Sequence, residues 1–171
     1  MTLEATKLES AVSSDYDGDA NAEDVVQWVT FRLGEELYGV NVIQVQEILR
    51  VTDITPVPGS PNYVLGIINL RGNIVTVIDL RLQLNMPTKE TTDRTRIVIA
   101  EEGDLIVGFR VDSVADVADL LPSQIEASPI AKKEDGKHYI SGVTTKESEL
   151  LILLDLGFLL ANGGTNNSFD F

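Results

Sequence analysis

A ten-residue pattern recurs in this 171-residue chain, 69 positions apart. Gly39-Val40-Asn41-Val42-Ile43-Gln44-Val45-Gln46-Glu47-Ile48 aligns without a gap on Gly108-Phe109-Arg110-Val111-Asp112-Ser113-Val114-Ala115-Asp116-Val117. Glycine falls on glycine, Val42 on Val111, Val45 on Val114, Glu47 on Asp116 and Ile48 on Val117. A second correspondence follows in the same order. Gly66 and Asp79 stand 13 positions apart, as do Gly142 and Asp155. Each aspartate follows an apolar run, 74–78 or 150–154, and precedes a leucine, and Leu84 matches Leu160. One such match among common residues arises by chance, whereas two in the same order indicate two related modules.

The modules read as β. Residues 25–33 alternate, with Val25, Val29, Phe31 and Leu33 on one face and Val26, Trp28, Thr30 and Arg32 on the other. Gly34-Glu35-Glu36 turns this strand into Leu37-Tyr38-Gly39-Val40, a hairpin. After Asn41, a suitable N-cap, Val42, Val45, Ile48 and Leu49 recur at helical spacing and predict a short helix. Pro56, Pro58, Gly59 and Pro61 mark an ordered loop. Strands near 63–70 and 74–80 follow, joined by Arg71-Gly72-Asn73, and polar residues 88–93 separate the modules. The expected fold is mainly β, with repeats over about 29–84 and 97–160. Five short strands each would suit a small barrel, and neither module can bury a generous core alone. The two should pack together and leave a crevice where binding sites tend to form.

The charge is unevenly placed. Of 27 acids and 13 bases, residues 1–24 hold seven acids and one base, a net −6, and residues 162–171 add −1. The body, 25–161, keeps 19 acids and 12 bases. Both ends lack clustered apolar residues to offset the ordering cost of about 1–2 kcal/mol per residue, and are expected to be disordered tails. An overall −14 argues against nucleic acid and anionic membrane surfaces, which bind clustered Lys and Arg. Neither a signal-peptide apolar region nor a membrane-length apolar run occurs, so a cytoplasmic protein without membrane insertion is expected.

Catalytic equipment is sparse. There is no cysteine, hence no disulfide, thiolate metal site or thiol nucleophile, and the single histidine precludes multi-histidine zinc sites. His138, at a predicted turn, has no nucleophile motif beside it. Asp79 and Asp155 occupy matched places, which suits capping of the turn or helix after each strand better than acid–base work. Glu101-Glu102-Gly103-Asp104 reads as a hairpin turn and lacks the ligand spacing of a calcium loop. Phosphate-cradle and nucleophile-elbow motifs are also absent. The expectation is a binding module with no catalytic residue, metal or cofactor.

Its best candidate surface is Asn69-Leu70-Arg71-Gly72, an arginine at a turn after an apolar strand. The second module carries Thr144-Thr145-Lys146 in this region, so the scaffold does not itself require Arg-Gly. Glu47, placed on the predicted helix, could orient the guanidinium.

These residues carry a resemblance. Phe31-x-Leu33 with Tyr38-Gly39-Val40, Val45-Gln46-Glu47-Ile48, Pro56-x-Pro58, Gly66-Ile67-Ile68-Asn69-Leu70-Arg71-Gly72 and Val77-Ile78-Asp79-Leu80 resemble the CheW family of chemotaxis coupling proteins. Val107-Gly108-Phe109-x-Val111-Asp112-Ser113-Val114 and Leu153-Leu154-Asp155-Leu156 extend the resemblance to roughly residues 25–160. It implies two interlaced five-stranded SH3-like β-barrels with short helices. It also implies an adaptor between the cytoplasmic tips of methyl-accepting chemotaxis receptors, received in the groove between barrels, and the histidine kinase CheA, bound at barrel ends. By motif position, Val45, Glu47, Gly66 and Arg71, with Asn69, Leu70 and Gly72 of the same segment, are implied as coupling residues. Thr76 departs from the proline often found before Val-Ile-Asp. Threonine keeps its N–H, so an altered sheet edge with the fold intact is expected. The alternatives are a CheW-like adaptor of another chemosensory pathway, such as twitching motility, and a small-ligand-binding β-barrel.

Overall fold

The computed structural model describes residues 24–127 and 139–160; the expectations for both tails and for His138 fall outside this set. Ten strands follow in order: β1 (Val26–Leu33), β2 (Glu36–Asn41), β3 (Val45–Arg50), β4 (Val64–Leu70), β5 (Asn73–Asp79), β6 (Arg96–Glu102), β7 (Leu105–Val111), β8 (Ser113–Leu120), β9 (Ile140–Lys146) and β10 (Glu149–Leu154). They form two five-stranded sheets, β8-β1-β2-β10-β9 and β3-β6-β7-β5-β4, each fitting a small SH3-like barrel. Each half of the chain lends its first hairpin to the other sheet: β1 and β2 join strands of the second half, and β6 and β7 join strands of the first. The repeat is therefore interlaced. Each donated hairpin meets its host strands on both sides, through one antiparallel pairing (β1 with β8, β6 with β3) and one parallel pairing (β2 with β10, β7 with β5).

This exchange explains where the core lies. The largest cluster draws on both sheets, with Phe31, Leu33, Ile78, Leu80, Phe109, Val111, Leu154 and Leu156 all buried. Each barrel interior is smaller: Trp28, Leu37, Leu151 and Leu153 in one, Ile68, Val77, Ile97 and Ile99 in the other. Most of the apolar burial stabilises the association of the modules, as their small size required.

The predicted helix over 42–49 is not formed. Asn41 does cap a single 3₁₀ turn, Val42–Gln44, accepting from the Ile43 N–H at 3.0 Å. Residues from Val45 onward then form β3 against β6. Val42, Ile43, Val45 and Ile48 are β-branched, and exposure alternates along β3. Pairing with β6 satisfies the backbone of a segment that helical spacing alone left ambiguous. Thr76 also departs from expectation. It lies in β5 between β4 and β7, not at a sheet edge, and is buried.

Asp79 and Asp155 cap matched helical turns, α1 (Leu80–Gln83) and α2 (Leu156–Phe158), accepting from the N–H of Arg81 and of Phe158 at 3.0 and 3.1 Å. Beneath α1, Arg81 holds Asp112 through two bonds of 2.9 and 2.7 Å, and the Gly34 N–H donates to the same carboxylate at 2.7 Å. Burial alone would raise the Asp112 carboxyl, but these donors, with Arg81 and Lys89 as nearby charges, outweigh it and hold the group below its ordinary value. The folded pKa thus lies below the unfolded one, near 4, so the stabilisation is present above about pH 4 and disappears as pH falls through the folded value. Asp112→Asn should cost about 2 kcal/mol at pH 7, since it strips Arg81 of a charged partner. Its stability should then fall less than that of the parent between pH 5 and pH 2. Urea midpoints across that range check this; parallel curves would contradict it.

Candidate protein-binding surface

The β4–β5 hairpin closes in two residues. Leu70 pairs with Asn73, and between them Arg71 and Gly72 both take left-handed conformations, φ 53° and 87°. This is the φ signature of a type I′ turn. Asn69 Oδ1 accepts from the Gly72 N–H at 2.9 Å and braces it. The second module builds the same turn with Glu147 and Ser148, φ 51° and 68°. The shared left-handed geometry belongs to the scaffold, while side-chain charge is a free choice, positive at Arg71 and negative at Glu147. Counting from Gly66 and Gly142 makes Glu147 the structural counterpart of Arg71, not Thr144-Thr145-Lys146 as a group.

Arg71 reaches from this turn to Glu47 on β3. Its Nη2 donates to Oε1 at 2.8 Å and its Nη1 to Oε2, a bidentate pair. The strands that bear them, β3 and β4–β5, lie at opposite ends of the sheet order, so the pair spans the seam where the sheet curls into a barrel. The bond to Arg71 holds the Glu47 carboxyl below its ordinary value. Arg71 is 71% exposed and Glu47 24%, so the guanidinium faces outward while the carboxylate fixes it from below. The sequence-expected partnership is present, on a strand instead of a helix.

The other candidates divide by role. Gly66, at φ 147°, lies where the loop crosses β4: Thr55 and Ile67 exchange two backbone bonds of 2.9 Å, and a Cβ on Gly66 would stand 2.1 Å from Thr55 O. Gly142 serves the same crossing in the other module, where Glu126 bridges to Val143. Leu70 is half-buried against the interior cluster of its own barrel, Ile68, Val77, Ile97 and Ile99. Val45 packs on the core shared by both barrels, because a bulge between Val45 and Glu47 re-aims β3. The exposed apolar side chains Ile43, Ile48 and Ile74 escaped the sequence reading. Ile74 stands opposite Asn69 beside the Arg71 turn, and its counterpart Leu150 is exposed too. The available signal was an apolar residue on the outward phase of a strand.

A crevice does lie at the junction of the barrels. It measures about 420 Å³ and is lined by Arg32, Arg94, Arg96, Ser113, Val114 and Ala115, none of them among the sequence candidates. Among the described residues no cluster of side chains could hold a metal ion, and no helix is long and apolar enough to cross a membrane.

Comparison with known proteins gives the same outline. The CheW-like domain matches residues 27–163. The chemotaxis protein CheW of Bacillus subtilis is 38% identical over 77% of this chain and 85% of its own length. That of Treponema pallidum is 36% identical over 82% and 85%. The crystal structure of the scaffolding protein CheW from Thermoanaerobacter tengcongensis superposes with a TM-score of 0.74 at 33% identity, covering 82% of this chain and 96% of its own.

Proposed function

We propose, from the premise that this chain belongs to the CheW family, that it couples methyl-accepting chemotaxis receptors to the histidine kinase CheA without chemistry of its own. The family is one of chemotaxis scaffolding and adaptor proteins. The observation that carries the finer reading is the braced turn that projects Arg71, locked bidentately to Glu47, from a position where the duplicated scaffold accepts either charge. A positioned guanidinium beside exposed Ile74 fits protein recognition. Val45, Glu47, Leu70, Arg71 and the turn formers Gly66, Asn69 and Gly72 are the coupling residues of this reading. The protein acts in the cytoplasm and is recruited to membrane receptor arrays. By holding receptor and kinase together it lets a movement of the receptor tip shift the kinase between active and inactive arrangements. Receptor-bearing membranes and full-length kinase should show stimulus-controlled phosphorylation only when this chain is added. Unchanged kinase activity on its addition would sink the proposal.

A further inference from the structure

We propose that the crevice between the barrels is an anion-binding cleft and that its occupant is the acidic N-terminal stretch of this same chain. Arg32 on β1 is already paired with Glu149 at 2.5 and 2.8 Å. Arg94 and Arg96 are not so matched: Arg96 donates to the backbone oxygens of Asp93 and Thr95 at 2.9 and 2.8 Å, and neither guanidinium forms an ion pair among the described residues. Arg50 stands directly opposite Arg96 in the β3–β6 register, a like-charge pair that costs stability unless an anion lies near. In a chain with twice as many acids as bases, such a cluster is an unmet demand for negative charge.

The duplication shows that the scaffold does not require this. At the equivalent crossover, Gln44-Val45-Gln46 stands where Ser113-Val114-Ala115 stands here, and the strand registers put Glu101 in the place of Arg32. There Gln46 binds Glu101 and Gln44 binds Glu102, so that crossover is acidic and internally satisfied. The basic crossover is the one left open.

Residues 1–24 supply what it lacks, seven acids against one base. From Val26, opposite Leu120, to Arg32, opposite Ser113, β1 covers about 20 Å at ~3.3 Å per residue. Asp15, Asp17 and Asp19 precede Val26 by seven to eleven residues. An extended chain of that length reaches about 23–40 Å, enough to return along the edge strand β8 to the cleft. Tethering makes the encounter intramolecular, so individually weak, screened contacts suffice. Resting on the coupling role proposed above, a partner entering between the barrels must displace this segment.

The chain has no cysteine, so Ser14→Cys carries a single nitroxide in the full-length protein. At low salt the amide signals of Arg96, Ser113, Val114 and Ala115 should be broadened preferentially. The effect should vanish in Arg94→Glu/Arg96→Glu and, for the parent cleft, in about 0.5 M NaCl, where screening falls to a few ångströms. Broadening spread evenly over the surface, or insensitive to both charge reversal and salt, would overturn the proposal. So would transfer of the effect to an unlabelled copy in a mixed sample, which would identify a second chain as the occupant. No kinase or receptor is present, so failure here leaves the coupling proposal standing, and failed coupling leaves this contact standing.

Discussion

Gly66→Ala is expected to lower stability by about 3–5 kcal/mol, far more than a surface substitution. Two effects combine. At φ 147° an alanine is held in a region that side chains rarely adopt, a strain of about 1–3 kcal/mol. The added methyl would also sit 2.1 Å from Thr55 O and 2.6 Å from its carbonyl carbon, so the loop must lift from β4. Lifting breaks both Thr55–Ile67 hydrogen bonds, each worth about 1 kcal/mol net. Gly72→Ala is the control: it too has positive φ, but nothing lies within 4 Å of its Cβ, so only the local strain is paid. Urea unfolding of the two variants separates the effects, and equal midpoints would refute the close-approach argument. Gly142→Ala should fall between them, because the nearest obstacle is the Ile125 methyl at 2.5 Å, which can move, while Glu126 O is 3.0 Å away. Any loss of coupling in Gly66 variants then comes through displacement of the loop.

Reversal of the seam pair should do the opposite, with a large effect on function and little on folding. Arg71→Glu or Glu47→Arg should reduce receptor-dependent kinase control by on the order of tenfold or more, as for a central interface arginine, while the urea midpoint stays near that of the parent. Both groups are solvent-screened, which is why stability barely responds. The double swap, Glu47→Arg with Arg71→Glu, rebuilds the pair with its polarity inverted. Control that stays low in the swap shows that the partner reads the positive charge of Arg71, whereas recovery shows that the pair only shapes the turn. Normal coupling in all three variants would remove this surface from the coupling proposal. Reconstituted kinase assays with receptor membranes distinguish these results.

Much of the architecture was legible because duplication and two-residue periodicity are local properties of the chain. The strands near 63–70 and 74–80 are β4 and β5, the Glu101-to-Asp104 turn joins β6 to β7, and the two aspartate caps fall where matched sequence put them. The segment at 42–49 misled because Val42, Val45, Ile48 and Leu49 satisfy a helical stripe while Val45, Glu47 and Leu49 satisfy a strand. Only the presence of β6 beside it resolves that tie, and β6 lies about fifty residues away in sequence. Thr76 misled for a related reason, since no local pattern tells whether a strand is central or at an edge.

The sequence by itself indicated that there are two β modules, that neither could bury a generous core alone, and that an arginine turn distinguishes the first from the second. Those conclusions rest on spacing, residue volume and charge, which the chain carries in one dimension. The tertiary structure decided the exchange of hairpins, the seam that brings Arg71 to Glu47, and the gathering of Arg32, Arg94 and Arg96 around β8. Arg71 lies 24 positions from Glu47, and the donated β2 meets β10 across 114 positions. These contacts exist because each small barrel buries its apolar face against the other, and charges far apart in the chain are carried to the junction where the two meet.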